Sequence, residues 1–89
     1  MVEVSFSKSF KKAYKKKIKN QKTLEQKFWT KLEVFLHDPF DQSLRTHKLT
    51  GHLKDQWSFS VDYDTRVLFF FASKEEVVFI NIGTHDEVY

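Results

Sequence analysis

The spacing of apolar residues changes once along the chain, and this change constrains the fold more than any other feature. Between residues 10 and 36, apolar side chains recur every three or four positions, which is the spacing of a helix with one buried face. Between residues 57 and 82, they alternate with polar residues or form dense β-branched and aromatic runs, as in strands. A helical part followed by a strand part predicts an α+β fold, with helices packed on an antiparallel sheet.

The N-terminal segment predicts a strand followed by a lysine-rich helix. Residues 2–6 alternate apolar and polar side chains, and Ser7 or Ser9 can cap a helix that runs to about Asn20. Residues 1–31 hold ten Lys and two Glu, a surplus of eight positive charges, whereas the remaining residues carry a net charge of −5. Such a basic surface is suited to phosphate contacts, and a merely solvated helix face is the alternative.

A second helix and a long loop are expected next. Thr23 and Gln26 form a capping-box pattern that predicts the start of this helix, and the Asp38–Pro39 pair stops it. Residues 38–54 then contain the only Pro and one of the two Gly, and they predict a connecting loop. Since loops of this length are uncommon in small domains unless they are functional, a packed and functional loop is expected.

The C-terminal half predicts three consecutive antiparallel strands. Gly83 is expected to break the last strand before a polar tail. The resulting order of strand, helix, helix, strand, strand, strand forms one domain over residues 1–89, in which two helices cover one face of the sheet and the other face can carry a site. The expected strands are residues 57–61, 66–71 and 77–82, with turns at residues 62–65 and 73–76.

Composition argues against several classes of protein. There is no Cys, so a disulfide framework, a thiolate metal site and a Cys nucleophile are all excluded. No Gly-rich phosphate loop, His-x-x-x-His pair or Ser-centred elbow occurs, and neither a metal nor a cofactor is expected. The first residues do not resemble a signal peptide and no apolar run approaches the roughly 20 residues of a membrane span, so a cytoplasmic location without membrane contact is expected.

The polar residues around the predicted C-terminal strands are those needed to cleave RNA without a metal. In that reaction a ribose 2′-OH attacks its own 3′ phosphate. One group must accept the 2′ proton, another must protonate the 5′ oxygen, and cations must stabilise the phosphorane charge. Histidine suits both proton transfers because its ordinary pKa lies near neutrality, and arginine suits the charge because it binds two phosphate oxygens at once.

Three segments in a fixed order resemble a known family. They are the His47–Ser58 stretch with its Leu-x-Gly-x-Leu pattern, the Val61–Phe69 stretch, in which a turn leads to Arg66, and the Gly83–His85 tail. Together with the lysine-rich helix pair, they resemble the RelE/YoeB/YafQ superfamily of bacterial toxins, and YafQ is the nearest branch. The resemblance implies a RelE-like, microbial-RNase-like fold and a ribosome-dependent mRNA endonuclease that cuts A-site codons. Its implied partners are a cognate antitoxin, the ribosome with its rRNA, and mRNA.

The resemblance also implies a set of site residues. Arg66 matches the hairpin arginine that stabilises the scissile phosphate, and His85 matches the tail histidine that acts as acid or base. His47 matches the loop histidine. Asp64 matches the turn aspartate, or a shift of one or two residues moves this match to Thr65 or Asp62. RNA contacts are expected from Tyr89 by stacking on a base, and from Lys48, Lys54, Lys11, Lys12 and Lys15.

The chain departs from the family pattern on the strand that enters the turn. Ser60 and Val61 lie where YafQ has a second histidine, so either His52 replaces it or the site has fewer proton-transfer groups. YoeB-like members have an extra arginine at the Ser60 position, and here Lys54 or Lys48 would supply that charge. Two other functions stay open: a ParE-like DNA gyrase inhibitor without nuclease activity, against which the tail histidine argues, and a catalytically inert RNA-binding or regulatory partner.

Two of the polar residues have a structural interpretation. Arg66, at the start of a strand, could simply form an ion pair with Asp62 or Asp64. His37 lies in the last turn of the second helix, where an imidazolium interacts favourably with the helix dipole, and we interpret it as structural.

Overall fold

Five strands and three α-helices make up the chain, and the computed structural model describes every residue from Met1 to Tyr89. This confirms the predicted α+β class, but the predicted order lacked two elements: a short strand at His47–Lys48, in the segment expected to be a loop, and a short helix at His85–Val88, in the expected polar tail. Two short 3₁₀ turns, Gln42–Leu44 and Gly51–Leu53, lie in the long loop. The elements are β1 (Glu3–Phe6), α1 (Lys8–Lys17), α2 (Lys22–His37), β2 (His47–Lys48), β3 (Trp57–Ser60), β4 (Thr65–Phe71), β5 (Glu76–Thr84) and α3 (His85–Val88).

The strands form one sheet in the order β1-β5-β4-β3-β2. β2, β3, β4 and β5 pair antiparallel with one another in that order, and short turns join β3, β4 and β5. β1 instead pairs in parallel with β5, with Val4 opposite Val77, because the chain between them crosses over through both helices and the other strands. The sheet is therefore mostly antiparallel, which confirms the predicted fold class, and β1 is its one parallel strand.

Aromatic side chains fill the space between the sheet and the first two helices. Phe35 of α2 packs 5.1 Å from Phe69 and 5.3 Å from Phe79, measured between ring centroids. Phe10 of α1 and Phe28 of α2 join the same buried cluster. Each such ring removes on the order of 150–250 Å² from water, so this face of the sheet is the hydrophobic core.

The opposite face of the sheet carries polar residues and is partly covered by α3. Arg66 lies opposite Ser60 on one side and opposite Gly83 on the other. Directly paired residues point to the same face, and their neighbour Val67 is in the core, so Arg66 faces away from α1 and α2. Val88 of α3 is buried against this second face, so only part of it is open to solvent.

Two helix boundaries differ from the sequence prediction. The first helix ends at Lys17, with Ile18 as its C-cap, and not near Asn20. The second begins at Lys22 and its N-cap, Gln21, makes no side-chain capping bond, so the capping box predicted at Thr23 and Gln26 is wrong. Thr23 lies inside the first turn of this helix and not before it. Other bounds agree: Ser7 caps α1 through the amide of Phe10, and α2 ends at His37 before Asp38.

Gly83 does not break the last strand, because β5 continues through Thr84. A β-carbon at Gly83 would lie 2.8 Å from Glu87 Oε1 and 2.9 Å from Lys17 Nζ. The glycine is therefore needed because α3 folds back closely over the strand. α3 itself begins with a capping box, in which Thr84 and Glu87 bond to each other's backbone amides. No helix has the length and apolar character that crossing a membrane would require.

Candidate functional site

A polar cleft of about 560 Å³ opens where the β3–β4 turn meets the start of α3. It contains three of the four residues expected to carry the chemistry, namely Asp64, Arg66 and His85. Its walls come from α2, the first 3₁₀ turn, the end of β3, the following turn, β4 and α3. The lining residues are Lys31, Ser43, Arg45, Ser60, Val61, Asp62, Tyr63, Asp64, Arg66 and His85.

Backbone pairing brings Arg66 and His85 to the same cleft. Thr65 pairs with Thr84 across the antiparallel strands β4 and β5, so Arg66 and His85, which follow them, flank this pair on its two sides. The backbone amide of His85 also donates a hydrogen bond to the carbonyl oxygen of Asp64 at 3.1 Å. The start of α3 is thus tied to the β3–β4 turn.

Arg66 is held by neutral acceptors and not by a carboxylate. Its Nη1 donates to the carbonyl oxygens of Asp62 at 2.9 Å and of Thr65 at 3.3 Å. The ion pair with Asp62 or Asp64 considered from the sequence is absent. The side chain is half-buried and forms no ion pair, and its other N–H groups are available to an anion.

The two turn aspartates have different surroundings. Asp62 Oδ1 accepts the backbone amides of Asp64 at 3.1 Å and of Thr65 at 2.7 Å, and its Oδ2 lies 3.9 Å from Lys27 Nζ. Burial raises the pKa of Asp62, but these amides, the Thr65 hydroxyl and the Lys27 ammonium together lower it below its ordinary value. The carboxylate of Asp64 is exposed and makes no such contacts. Asp62 therefore shapes the turn, whereas Asp64 is free to react.

His85 combines a fixed backbone with a free ring. Glu87 Oε1 accepts the amide of Thr84 at 2.8 Å and lies 3.6 Å from Lys17 Nζ. The bond from the Thr84 amide has the largest effect and lowers the pKa of Glu87; burial opposes it, and Lys17 and the Thr84 hydroxyl lower the pKa further. The imidazole is the first side chain of α3 and is exposed, with its Nδ1 3.5 Å from Asp86 Oδ1. It can therefore meet a substrate without a rearrangement of the backbone.

Tyr89 lies between the two predicted site histidines. Its ring packs edge to face on His85, with 4.5 Å between centroids, and lies 6.5 Å from the ring of His47. Its hydroxyl donates to Ser58 Oγ, a buried group on the same face of the sheet. Tyr89 is therefore packed and hydrogen-bonded within the protein itself.

His47 lies beside the cleft and does not line it. Its Nδ1 is 3.1 Å from the carbonyl oxygen of Arg45. Because a carbonyl oxygen only accepts hydrogen bonds, this contact requires the proton on Nδ1 and leaves Nε2 as the acceptor of the neutral ring. Nε2 makes no hydrogen bond within the protein and is open to a substrate.

Several predicted RNA-binding lysines lie away from the cleft. Lys48 pairs with Trp57, whose ring packs 5.7 Å from Phe71 on the helix side of the sheet, so Lys48 points away from Arg66. Lys54 follows the second 3₁₀ turn and is exposed, and it does not line the cleft. The charge that was expected from these two residues at the Ser60 position is therefore not brought there. The side chains of Lys11, Lys12 and Lys15 are exposed along α1 and also lie outside the cleft.

The cleft contains two cations that sequence patterns did not indicate. Lys31 reaches it from α2 and donates to the carbonyl oxygen of Ser43 at 3.2 Å. Arg45 reaches it from the end of the first 3₁₀ turn. Lys31 is one of many lysines on helices, and Arg45 lies in a loop whose path depends on tertiary packing, so neither carried a local signal. His52, the proposed substitute for the missing strand histidine, does not line the cleft.

Comparisons with known proteins agree with this architecture. No curated protein matches the chain in sequence. YafQ from E. coli has a TM-score of 0.76 at 16% identity, and the match covers 100% of this chain and 99% of that one. A YoeB/ParE toxin from Agrobacterium tumefaciens has a TM-score of 0.78 at 15% identity, covering 94% and 99% of the two chains. The YoeB–YefM complex from Staphylococcus aureus has a TM-score of 0.75 at 16% identity, covering 96% and 98%.

These structural likenesses confirm the RelE-like fold that the sequence resemblance implied. The sequence itself matches the family model described as a bacterial toxin of type II toxin–antitoxin system, YafQ, over residues 2–89. Because that match spans nearly the whole chain, the protein belongs to the YafQ family of bacterial toxins of type II toxin–antitoxin systems.

Proposed function

We propose that this toxin is an endoribonuclease that cuts mRNA in the ribosomal A site by attack of a ribose 2′-OH on its own 3′ phosphate. The observation that carries the proposal is the presence of Arg66, Asp64 and His85 in one polar cleft. They supply a cation, a free carboxylate and a free imidazole within a single site. Those are the groups that the reaction needs for charge and for two proton transfers.

Arg66 is proposed to bind the scissile phosphate. Its charge is not neutralised by any carboxylate, and two backbone carbonyls hold it in place. A cation fixed before the substrate arrives stabilises the extra negative charge of the phosphorane without having to reorganise. This is the part of the mechanism that the geometry supports most directly.

His85 is proposed to protonate the 5′ oxygen as the bond from phosphorus to that oxygen breaks. The 2′ proton goes to a base as the new bond from the 2′ oxygen to phosphorus forms, which leaves a 2′,3′-cyclic phosphate. Asp64 is the favoured base because its carboxylate is unpaired and lines the cleft. His47 is the second candidate, since its Nε2 is a free acceptor. Because the nucleophile is the ribose hydroxyl itself, the proposed reaction needs no metal-bound water.

Expression of the wild type and of His85→Ala in bacteria, followed by primer-extension mapping of transcripts, tests the nuclease proposal. Cleavage at defined codons that the substitution abolishes is the expected result. An mRNA that carries 2′-deoxyribose at the cut position should bind and stay intact, and its cleavage would remove the internal-attack mechanism. DNA damage without mRNA cleavage would favour gyrase inhibition, and no toxicity in either strain would favour an inert partner.

The proposed partners are a cognate antitoxin and the ribosome. A YoeB toxin of the same fold has been solved in complex with YefM, which supports a protein antitoxin for this chain. The exposed lysines of α1, including Lys11, Lys12 and Lys15, support contact with rRNA phosphates. These partners imply that the protein acts in the cytoplasm. Cleavage of the same mRNA with and without ribosomes, and with and without EDTA, tests ribosome dependence and metal independence.

A further inference from the structure

Arg45 has an unusual backbone conformation at the rim of the cleft. Its φ is +52° and its ψ is +40°, and it is the only residue other than glycine with a positive φ. This left-handed conformation disfavours residues with a β-carbon, and glycine adopts it readily. Glycine at this position would therefore be more favourable for the stability of the fold, so stability does not explain why the residue is an arginine.

Of the two guanidinium groups in the cleft, those of Arg66 and Arg45, only that of Arg66 forms hydrogen bonds within the protein. Arg66 uses Nη1 to hold two backbone carbonyls. The side chain of Arg45 is exposed to the same cleft and makes no hydrogen bond and no ion pair. All five of its N–H donors are free, and they form the planar fork that matches two oxygens of a phosphate. Charge and geometry thus favour an anionic ligand.

The backbone of Arg45 also contacts the proposed catalytic apparatus. Its carbonyl oxygen bonds to Nδ1 of His47 at 3.1 Å, and its own amide donates to the carbonyl of Gln42. The residue is therefore held between the first 3₁₀ turn and the histidine beside the cleft. Arg45 lines the cleft from the loop, whereas Arg66 lines it from the sheet.

We propose that Arg45 binds a second phosphodiester of the substrate strand, next to the scissile phosphate bound by Arg66. The inference rests on the proposed nuclease function and adds a strand-positioning residue to it. It also accounts for the charge missing at the Ser60 position, which Lys48 and Lys54 do not reach. A contact with a neighbouring phosphate is made equally in the ground state and in the transition state, so it should act on substrate binding and not on the chemical step.

The test compares Arg45→Gly and Arg45→Asn with the wild type, and uses Lys74→Ala as the control for loss of an exposed charge far from the cleft. Glycine and asparagine both tolerate the left-handed conformation, so the melting temperature should stay the same or rise. On ribosomes programmed with a defined mRNA, both variants should raise KM about tenfold, with little change in kcat. Lys74→Ala should match the wild type in both constants.

A second readout separates this inference from the proposed function. In the His85→Ala background, binding of a single-stranded RNA oligonucleotide is measured by fluorescence anisotropy at several salt concentrations. Adding Arg45→Gly should weaken binding and reduce the salt slope by about 0.7, the value for one phosphate contact. An unchanged slope, no RNA binding at all, or a loss confined to kcat would overturn the role of Arg45. Failure of the wild type to cleave mRNA would instead refute the nuclease function, and the oligonucleotide slope would still decide for or against the phosphate contact.

Discussion

The backbone amide of His85 donates a hydrogen bond to the carbonyl oxygen of Asp64, 3.1 Å away. This bond joins the start of α3 to the β3–β4 turn, two segments 21 residues apart in sequence. Because the backbone makes this connection, neither the imidazole of His85, which packs only on Tyr89 and lies near Asp86, nor the carboxylate of Asp64 is needed for it. Their side chains are free for chemistry, while their positions relative to Arg66 are fixed.

Replacing His85 with alanine should abolish most of the activity and leave the fold intact. We expect the cleavage rate to fall by about 10²–10⁴, which is the usual contribution of a general acid. The ring is exposed and packs chiefly on Tyr89, so only a modest drop in melting temperature is expected. Cleavage of a defined mRNA on programmed ribosomes and thermal unfolding measure the two effects. His52→Ala, an exposed histidine outside the cleft, is the control, and an equal loss in both variants would contradict a specific role for His85.

Asp64→Asn tests the identity of the base. Asparagine keeps the size of the side chain and its carbonyl oxygen but cannot accept a proton, so the rate should again fall by about 10²–10⁴. The exposed carboxylate has no partner to lose, and stability should be unchanged. The rate is compared with that of His47→Ala under single-turnover conditions. If His47→Ala loses more activity than Asp64→Asn, the base is His47.

Some of this site could be predicted from sequence, because its motifs are local. Polar residues 62–65 separate two strand patterns and thus identify a turn, and Arg66 is the first residue of the second pattern. His85 follows a strand, and its neighbours Thr84 and Glu87 contain a capping-box pattern that could have revealed α3. In the same way, the change in apolar spacing predicts the helices and antiparallel strands, because each repeat reports the geometry of its own element.

The remaining features depend on contacts distant in sequence. The parallel pairing of β1 with β5 joins the two ends of the chain, and no local pattern specifies it. Glycine is typical of strand ends, but Gly83 lies inside β5. Because it has no β-carbon, it leaves room for the side chains of Glu87 from α3 and Lys17 from α1. Arg45 enters the cleft only because the loop folds against α2 and β3. Local patterns therefore indicated the β3–β4 turn, the resemblance to the toxin family singled out Arg66 and His85, and neither pointed to Lys31 and Arg45 in the cleft.

Asp62→Ala should destabilise the protein, because the carboxylate caps the β3–β4 turn. Two backbone amides, those of Asp64 and Thr65, would lose their acceptor. We expect a loss of about 1–2 kcal/mol in the free energy of unfolding, as for other side-chain caps. Urea denaturation measures it. Asp55→Ala, which removes an exposed carboxylate without such bonds, should cost much less, and an equal cost would contradict the capping role.

The same carboxylate should make stability depend on pH. The pKa of Asp62 is lower in the folded protein than in the unfolded chain, so its stabilising effect is complete above the unfolded pKa. It is lost as the pH falls through the lower, folded pKa. In acid, the difference in melting temperature between the wild type and Asp62→Ala should therefore shrink as the pH is lowered. A difference that stayed constant from neutral pH into acid would argue against an ionised cap.

Gly83→Ala should impair activity through α3. The added β-carbon would meet Glu87 Oε1, Lys17 Nζ and, at 3.2 Å, Glu87 Cβ. The first two atoms end flexible side chains and can move, but moving Glu87 breaks its bond to the Thr84 amide and loosens the helix that carries His85. We expect lower kcat together with a modest drop in melting temperature. Glu87→Ala should reproduce the loss of kcat without the added methyl group, and full activity in both variants would show that α3 does not depend on this capping network.

Replacing Lys11, Lys12 and Lys15 together with alanine should weaken attachment to the ribosome and spare the chemical step. These side chains are exposed on α1 and lie outside the cleft, so their loss should raise KM with little effect on kcat. Alanine is the best helix former, and α1 should remain folded. The KM should also become less sensitive to salt, because fewer phosphate contacts release fewer counterions. A matched triple variant, with the exposed residues Lys19, Lys22 and Lys74 changed to alanine, removes the same charge from outside α1. If both triple variants raise KM equally, the basic helix has no specific role and only the total charge of the protein matters.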